Sequence, residues 1–107
     1  RLIEIVKGHF AATGEAVPQI LLVAPPHAVE TAYGPMIDNF GGTDHLLRET
    51  RQFSAHYARI ANETGVAFFN AASVASANQG DGVHLDAANT RAIGEGLAPL
   101  VKSMLGL

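Results

Sequence analysis

Asp81 and His84 stand three residues apart in the segment Gly80-Asp81-Gly82-Val83-His84-Leu85-Asp86, which reads as a turn ahead of a helix. In a turn, a carboxylate three residues before an imidazole can reach back to its Nδ1–H. It then fixes the tautomer and stabilises the imidazolium, leaving Nε2 free as a general base toward a nucleophile. The same residues have a plainer reading, since Asp-Gly is common turn chemistry and a histidine near a helix start can serve packing alone. A metal reading would use Asp81, His84 and Asp86, three ligands within six residues. Asp86 is better explained as the N-cap of the following helix, and no fourth ligand stands out.

Two apolar runs would carry this loop. Gln19-Ile20-Leu21-Leu22-Val23-Ala24, closed by Pro25-Pro26, shows no alternation and predicts a strand covered on both faces, as in a parallel sheet. Residues 66–70 (Val-Ala-Phe-Phe-Asn) predict a second short buried strand, and a small-residue stretch over 71–80 then leads to Asp81. Helices are predicted between and around them. The first, over 1–13, carries Leu2, Ile3, Val6 and Phe10 at helical spacing, with Gly14 placed to end it. A long one over 43–64 turns Leu46, Thr50, Phe53, Tyr57 and Ile60 inward and Arg48, Gln52, Arg59 and Glu63 outward, with Gly65 as C-cap. The last follows Asp86, with Ile93, Leu97, Leu100, Val101 and Met104 on one face. Its Gly94 and Gly96 cost about 1 kcal/mol each relative to Ala, and Pro99 should kink it. Glycines so placed usually allow close approach to a sheet.

The order helix, strand, helix, strand, helix gives an α/β class with parallel strands. In such sheets ligands gather at the C-terminal strand ends, here the Gly- and Pro-rich loop 25–42 and the loop 71–86. Two parallel strands leave long unpaired edges, whereas a self-sufficient doubly wound sheet has about five. The expectation is therefore the C-terminal part of a domain.

Composition removes several alternatives. At 107 residues one domain is the ceiling, and 48% hydrophobic with 16% charged residues is too apolar for a disordered segment. Seven basic against ten acidic side chains give a net charge of -3 without a basic cluster, which argues against binding nucleic acid or anionic membranes by charge. The run from Ile20 to Ala24 is far short of the ~20 apolar residues of a spanning helix. The absence of cysteine excludes a disulfide framework and any Cys-based zinc or redox site, and leaves the compartment open. A start at Arg1, without Met or a signal-peptide pattern, fits a missing N-terminal part that would also hold any targeting segment.

The block from Gly80 to Asp86, followed by a helix with Ile93-Gly94, resembles the last motif of the SGNH (GDSL-type) hydrolases, and Ile20 to Pro26 resembles the penultimate strand of that family's arylesterase and acyltransferase branch. The resemblance covers essentially the whole chain. It implies a three-layer α/β/α sandwich with a flavodoxin-like parallel sheet of about five strands. This chain, residues 1–107, would supply the last two strands and three helices as the C-terminal portion of one domain. It implies Asp81 as the triad acid and His84 as the triad base. The implied reaction is hydrolysis of short-chain aryl or carbohydrate esters through a serine acyl-enzyme without a cofactor, with acyl transfer to alcohols or peroxide in the same branch.

The departure from the family is large. Its Gly-Asp-Ser nucleophile block, oxyanion glycine and Gly-x-Asn-Asp block have no counterpart here. Ser54 and Ser103 fall in predicted helices. Ser73 and Ser76 lie just before Asp81, but neither sits in the tight strand-to-helix turn that exposes a nucleophile and supplies oxyanion N–H groups. The isolated chain is therefore expected to be inactive and poorly folded, and its partner is an N-terminal segment carrying the serine. Two readings compete with the esterase: a catalytically silent α/β binding or assembly module, and the metal-dependent hydrolase.

Other residues carry weaker expectations. His27, Met36, Ile37 and Phe40 lie on the active edge and could line an acyl pocket, although loop packing explains them as well. Exposed Met36, Ile37 and Phe40 would also allow assembly into oligomers, as in the similar branch. Asp38 and Asn39 show no pattern. His45 and His56, eleven apart, would stand ~16 Å from each other on one helix face, too far to share a metal. His9 belongs to a solvated helix face.

Overall fold

In the computed structural model, which describes residues 1–107 except the side chain of Met36, the chain runs α1 (Leu2–Thr13), β1 (Leu21–Ala24), α2 (Gly34–Asn39), α3 (Thr43–Arg51), α4 (Phe53–Thr64), β2 (Ala67–Asn70), a 3-10 turn (Ala71–Ser73) and α5 (Ala87–Leu105). The strands pair in parallel, Leu21 with Ala67 through Ala24 with Asn70. The class is α/β with a parallel sheet, as the sequence predicts.

Helices cover both faces of this two-stranded sheet. Successive side chains of a strand point to opposite faces. Leu22 lines one surface with Leu2 and Ile3 of α1 and Tyr57 and Ile60 of α4. The neighbouring Phe69 points the other way, toward α5. There a Cβ on Gly96 would stand 2.8 Å from Phe69 Cζ, so the missing side chain lets α5 approach the sheet; Gly94 has open space instead. α5 runs unbroken through Pro99, from an Asp86 cap to Gly106 in the left-handed conformation.

Two expectations are corrected. Loop 25–42 contains the short helix α2. The long helix over 43–64 is two helices meeting at Gln52, whose N–H bonds to Glu49 O at 3.1 Å, one residue short of the α-helical partner. This tight turn interrupts the α ladder, although Gln52 keeps right-handed helical dihedrals. The Gln52 side-chain amide donates to the Arg48 carbonyl.

The buried residues are small. Ala24, Ala28, Ala61, Ala71 and Ala77 are buried with Leu46 and Thr50, and no large side chain among the described residues is fully enclosed. α1 and α5 contain no buried residue, and Leu2, Ile5 and Val6 face solvent. The radius of gyration is 16.4 Å, against roughly 13 Å for a closed domain of this length. The layers are laid down but the core between them is thin. Most of the buried residues gather at the C-terminal strand ends: Ala24 and Ala71 at the ends themselves, Ala28, Ala77 and Gly82 in the loops beyond, and Thr50 from α3. Thr50 Oγ1 accepts the buried Ala28 N–H at 3.1 Å, fixing the first loop against α3. Among the described residues no helix is long and apolar enough to cross a membrane.

Candidate active site

The loops that leave β1 and β2 are stitched to each other. Val29 N donates to Gly82 O at 3.0 Å, Ala77 N to His27 O at 3.3 Å, and Thr31 Oγ1 to Gly80 O at 3.3 Å. These bonds bring segment 78–84 to the C-terminal edge of the sheet, where the topology places ligands. Gly82 is the pivot of the turn. Its φ is +79°, and a Cβ there would lie 2.6 Å from the Val29 carbonyl oxygen, so both backbone conformation and space require glycine.

Asp81 is held by its own turn. One oxygen, Oδ1, accepts the backbone N–H groups of Val83 and His84, each at 2.9 Å. The other, Oδ2, meets His84 Nδ1 at 2.6 Å. The structure thus brings the two sequence-predicted residues together with the nitrogen that the spacing favours. Among the described residues His84 Nε2 has no hydrogen-bond partner, and the His84 side chain is 70% exposed against 25% for Asp81. A half-buried, doubly bonded carboxylate therefore orients an imidazole whose other nitrogen is open to a reactant.

The two backbone N–H groups, then the His84 ring, lower the Asp81 pKa from 3.8 to about 2, because hydrogen bonds to the ionised form favour it. A group depressed on folding contributes stability that is complete above its unfolded value. That contribution is lost as pH falls from 3.8 through about 2. The expected result is that Asp81 stays ionised at pH 4 and adds no limb to any activity profile above that pH. A carboxyl-carbon NMR titration in the folded protein checks it, and a midpoint at or above the ordinary carboxylate value would contradict the geometry.

The other predicted residues separate. Ser73 Oγ donates to Asn70 O at 2.7 Å, and Ser76 is tied through its N–H to Asn89 Oδ1 at 2.9 Å; neither makes a hydrogen bond to His84. Asp86 Oδ1 caps α5 by accepting Asn89 N–H at 2.7 Å, which commits the third member of the metal reading to the helix. Among the described residues no group of three or more acidic or histidine side chains is gathered as a metal site. His45 bonds Arg48 Nη2 through Nδ1.

A largely apolar pocket of about 350 Å³ is lined among others by Pro25, Phe40, Leu46, Phe53, Val83 and Leu85, and not by Asp81 or His84 themselves. Val83 and Leu85 flank His84 in sequence, so pocket and imidazole share one loop. Of the residues expected to line such a pocket, Phe40 does so; His27 and Ile37 do not, and the Met36 side chain lies outside the described residues. His27 Nε2 is buried without a hydrogen-bond partner among the described residues. Sequence reasoning missed Asn78, whose four hydrogen bonds bind the turn together. An Asn three residues before an Asp gives no signal in the sequence beyond turn composition.

No family model matches the chain, and no curated protein does. Solved structures do. A carbohydrate acetylesterase family member from Sinorhizobium meliloti is 37% identical with a TM-score of 0.81, over 95% of this chain and 52% of its own. A protein from Agrobacterium tumefaciens strain C58, assigned as an arylesterase, is 39% identical with a TM-score of 0.81, over 97% of this chain and 48% of its own. An aryl esterase from Mycobacterium smegmatis is 32% identical with a TM-score of 0.76, over 86% of this chain and 41% of its own. The chain spans about half the length of the structures it matches.

Proposed function

We propose, from the likeness of this chain in fold and sequence to SGNH-type carbohydrate acetylesterases and arylesterases, that it supplies the base and the orienting acid of a serine ester hydrolase. In this reading residues 1–107 are the C-terminal portion of one domain, and the nucleophilic serine and oxyanion donors come from a segment outside them. The observation that carries it is the 2.6 Å contact of Asp81 Oδ2 with His84 Nδ1, in a loop whose Val83 and Leu85 line an apolar pocket.

Under this proposal each group has its step. His84 Nε2 takes the proton of the serine hydroxyl as the oxygen attacks the ester carbonyl, and Asp81 stabilises the imidazolium that forms. The imidazolium then gives its proton to the departing alcohol, leaving an acyl-serine. Water, deprotonated by the same nitrogen, releases the acid and restores the serine. An alcohol in place of water would complete acyl transfer. The pocket beside Val83 and Leu85 suits a short apolar acyl or aryl group.

The test is p-nitrophenyl acetate hydrolysis by the 107-residue chain alone and by the same chain joined to the residues its gene encodes ahead of Arg1. Saturable hydrolysis by the joined protein and a background rate for the chain alone are expected. A joined protein without activity would overturn the proposal in favour of a silent binding or assembly module.

A further inference from the structure

We propose that Asn78 is a positioning residue for His84, an inference that rests on the esterase reading for its kinetic consequence. Asn78 binds the turn at both ends. Its backbone N–H donates to His84 O at 2.9 Å and its backbone carbonyl accepts Gly82 N–H at 2.9 Å. Its side chain repeats the pattern: Nδ2 donates to the same His84 oxygen at 2.8 Å, and Oδ1 accepts Gly80 N–H at 2.8 Å. Two donors of one residue thus converge on the carbonyl of the imidazole-bearing residue.

The consequence for His84 is geometric. Its side chain is largely exposed and gets little packing support, so its orientation depends on its backbone and on Asp81. Asp81 can hold the ring only while the backbone of residue 84 is folded back over residues 78–82. The side-chain amide of Asn78 is the one side-chain donor that ties His84 O to the start of the turn among the described residues. Gly80 completes the arrangement. A Cβ on it would stand 2.8 Å from Asn78 Oδ1, with no atom of His84 within 4 Å, so a side chain there displaces Asn78 without touching His84 directly. Two sites in the sequence therefore perturb one hydrogen-bonded unit.

The test uses the complete, ester-hydrolysing protein that contains these residues. Asn78→Ala is expected to lower kcat for p-nitrophenyl acetate by roughly tenfold with KM little changed, the loss of about one hydrogen bond's worth of orientation. Asn78→Asp keeps an acceptor for Gly80 N–H but loses the donor to His84 O, and it falls with the alanine variant. Gly80→Ala gives the same loss, and joining it to Asn78→Ala adds little because both act on one unit. If the alanine variant does not fold, the Asp variant carries the same reading.

A second readout does not need activity. The Nδ1 proton of His84, hydrogen-bonded to Asp81 and absent from its NMR position in Asp81→Asn, is expected to shift in both Asn78 variants. An Asn78→Asp protein with full kcat and an unmoved Nδ1 proton overturns the proposal and leaves Asn78 a turn former. A wild-type protein that hydrolyses no ester sinks the esterase reading instead, and the proton signal still decides for or against Asn78.

Discussion

His84→Gln is expected to lower kcat for ester hydrolysis by about 10³- to 10⁴-fold in the complete protein, with little loss of stability. The size follows from losing the group that moves the proton in both halves of the reaction. The stability expectation follows from the 70% exposure of the side chain: little burial is forfeited, and the Asp81 bonds to the backbone N–H groups of Val83 and His84 survive. Asp81→Asn is a different lesion. It removes the charge that stabilises the imidazolium and presents an amide that can hold the ring in the wrong tautomer. The double variant is expected to be no slower than the worse single one, because the two groups act as a unit. Measured kcat values for the three variants check this. A His84→Gln loss below tenfold would mean that another group moves the proton.

The largest expected loss of stability is at Gly82. Gly82→Ala puts a Cβ at φ +79°, 2.6 Å from the Val29 carbonyl oxygen and 2.8 Å from Thr31 Cγ2. The first of these atoms is backbone. It cannot withdraw without loosening the Val29 N–H bond to Gly82 O, which holds the loops of β1 and β2 together. Left-handed backbone alone costs roughly 1–2 kcal/mol. The clash and the strained loop should bring the total to about 3 kcal/mol or more. Gly65→Ala is the control, with φ +68° and open space around the position, so only the conformational part applies. Thermal melting of the two variants decides it. A Gly82→Ala melting point equal to that of Gly65→Ala would mean that the loops yield freely and that the turn is not fixed by Val29.

What could be read from the sequence was local. The Asp81–His84 contact is closed by a three-residue spacing within one turn, so residue types alone pointed to it, down to the ring nitrogen involved. The Asp86 cap and the stops at Gly14 and Gly65 are similarly contained in a few residues. The interruption at Gln52 escaped because the apolar stripe continues through it; only the backbone bond to Glu49 marks the change. α2 escaped because Gly34 and Pro35 read as loop chemistry.

The supports of the site were hidden for another reason. Val29, Thr31 and Thr50 act on the turn or its neighbouring loop through bonds spanning 22 residues or more, and no periodicity records which loop meets which. The same holds for the pocket: Phe40 lines it and Ile37, three residues away, does not. The alanine core was not legible either: the stripe of Phe53, Tyr57 and Ile60 read as the inner face, whereas the buried side chains are mostly alanines.

The central claim is that Asp81 and His84 serve a serine that lies outside these 107 residues. The most direct measurement is intact-mass and peptide mapping of the complete protein after exposure to a fluorophosphonate serine probe, with Asp81→Asn and His84→Gln treated in parallel. The account predicts one adduct, on a serine outside residues 1–107, formed far more slowly in both variants. An adduct on Ser73 or Ser76, or labelling that proceeds at the same rate without His84, would contradict it.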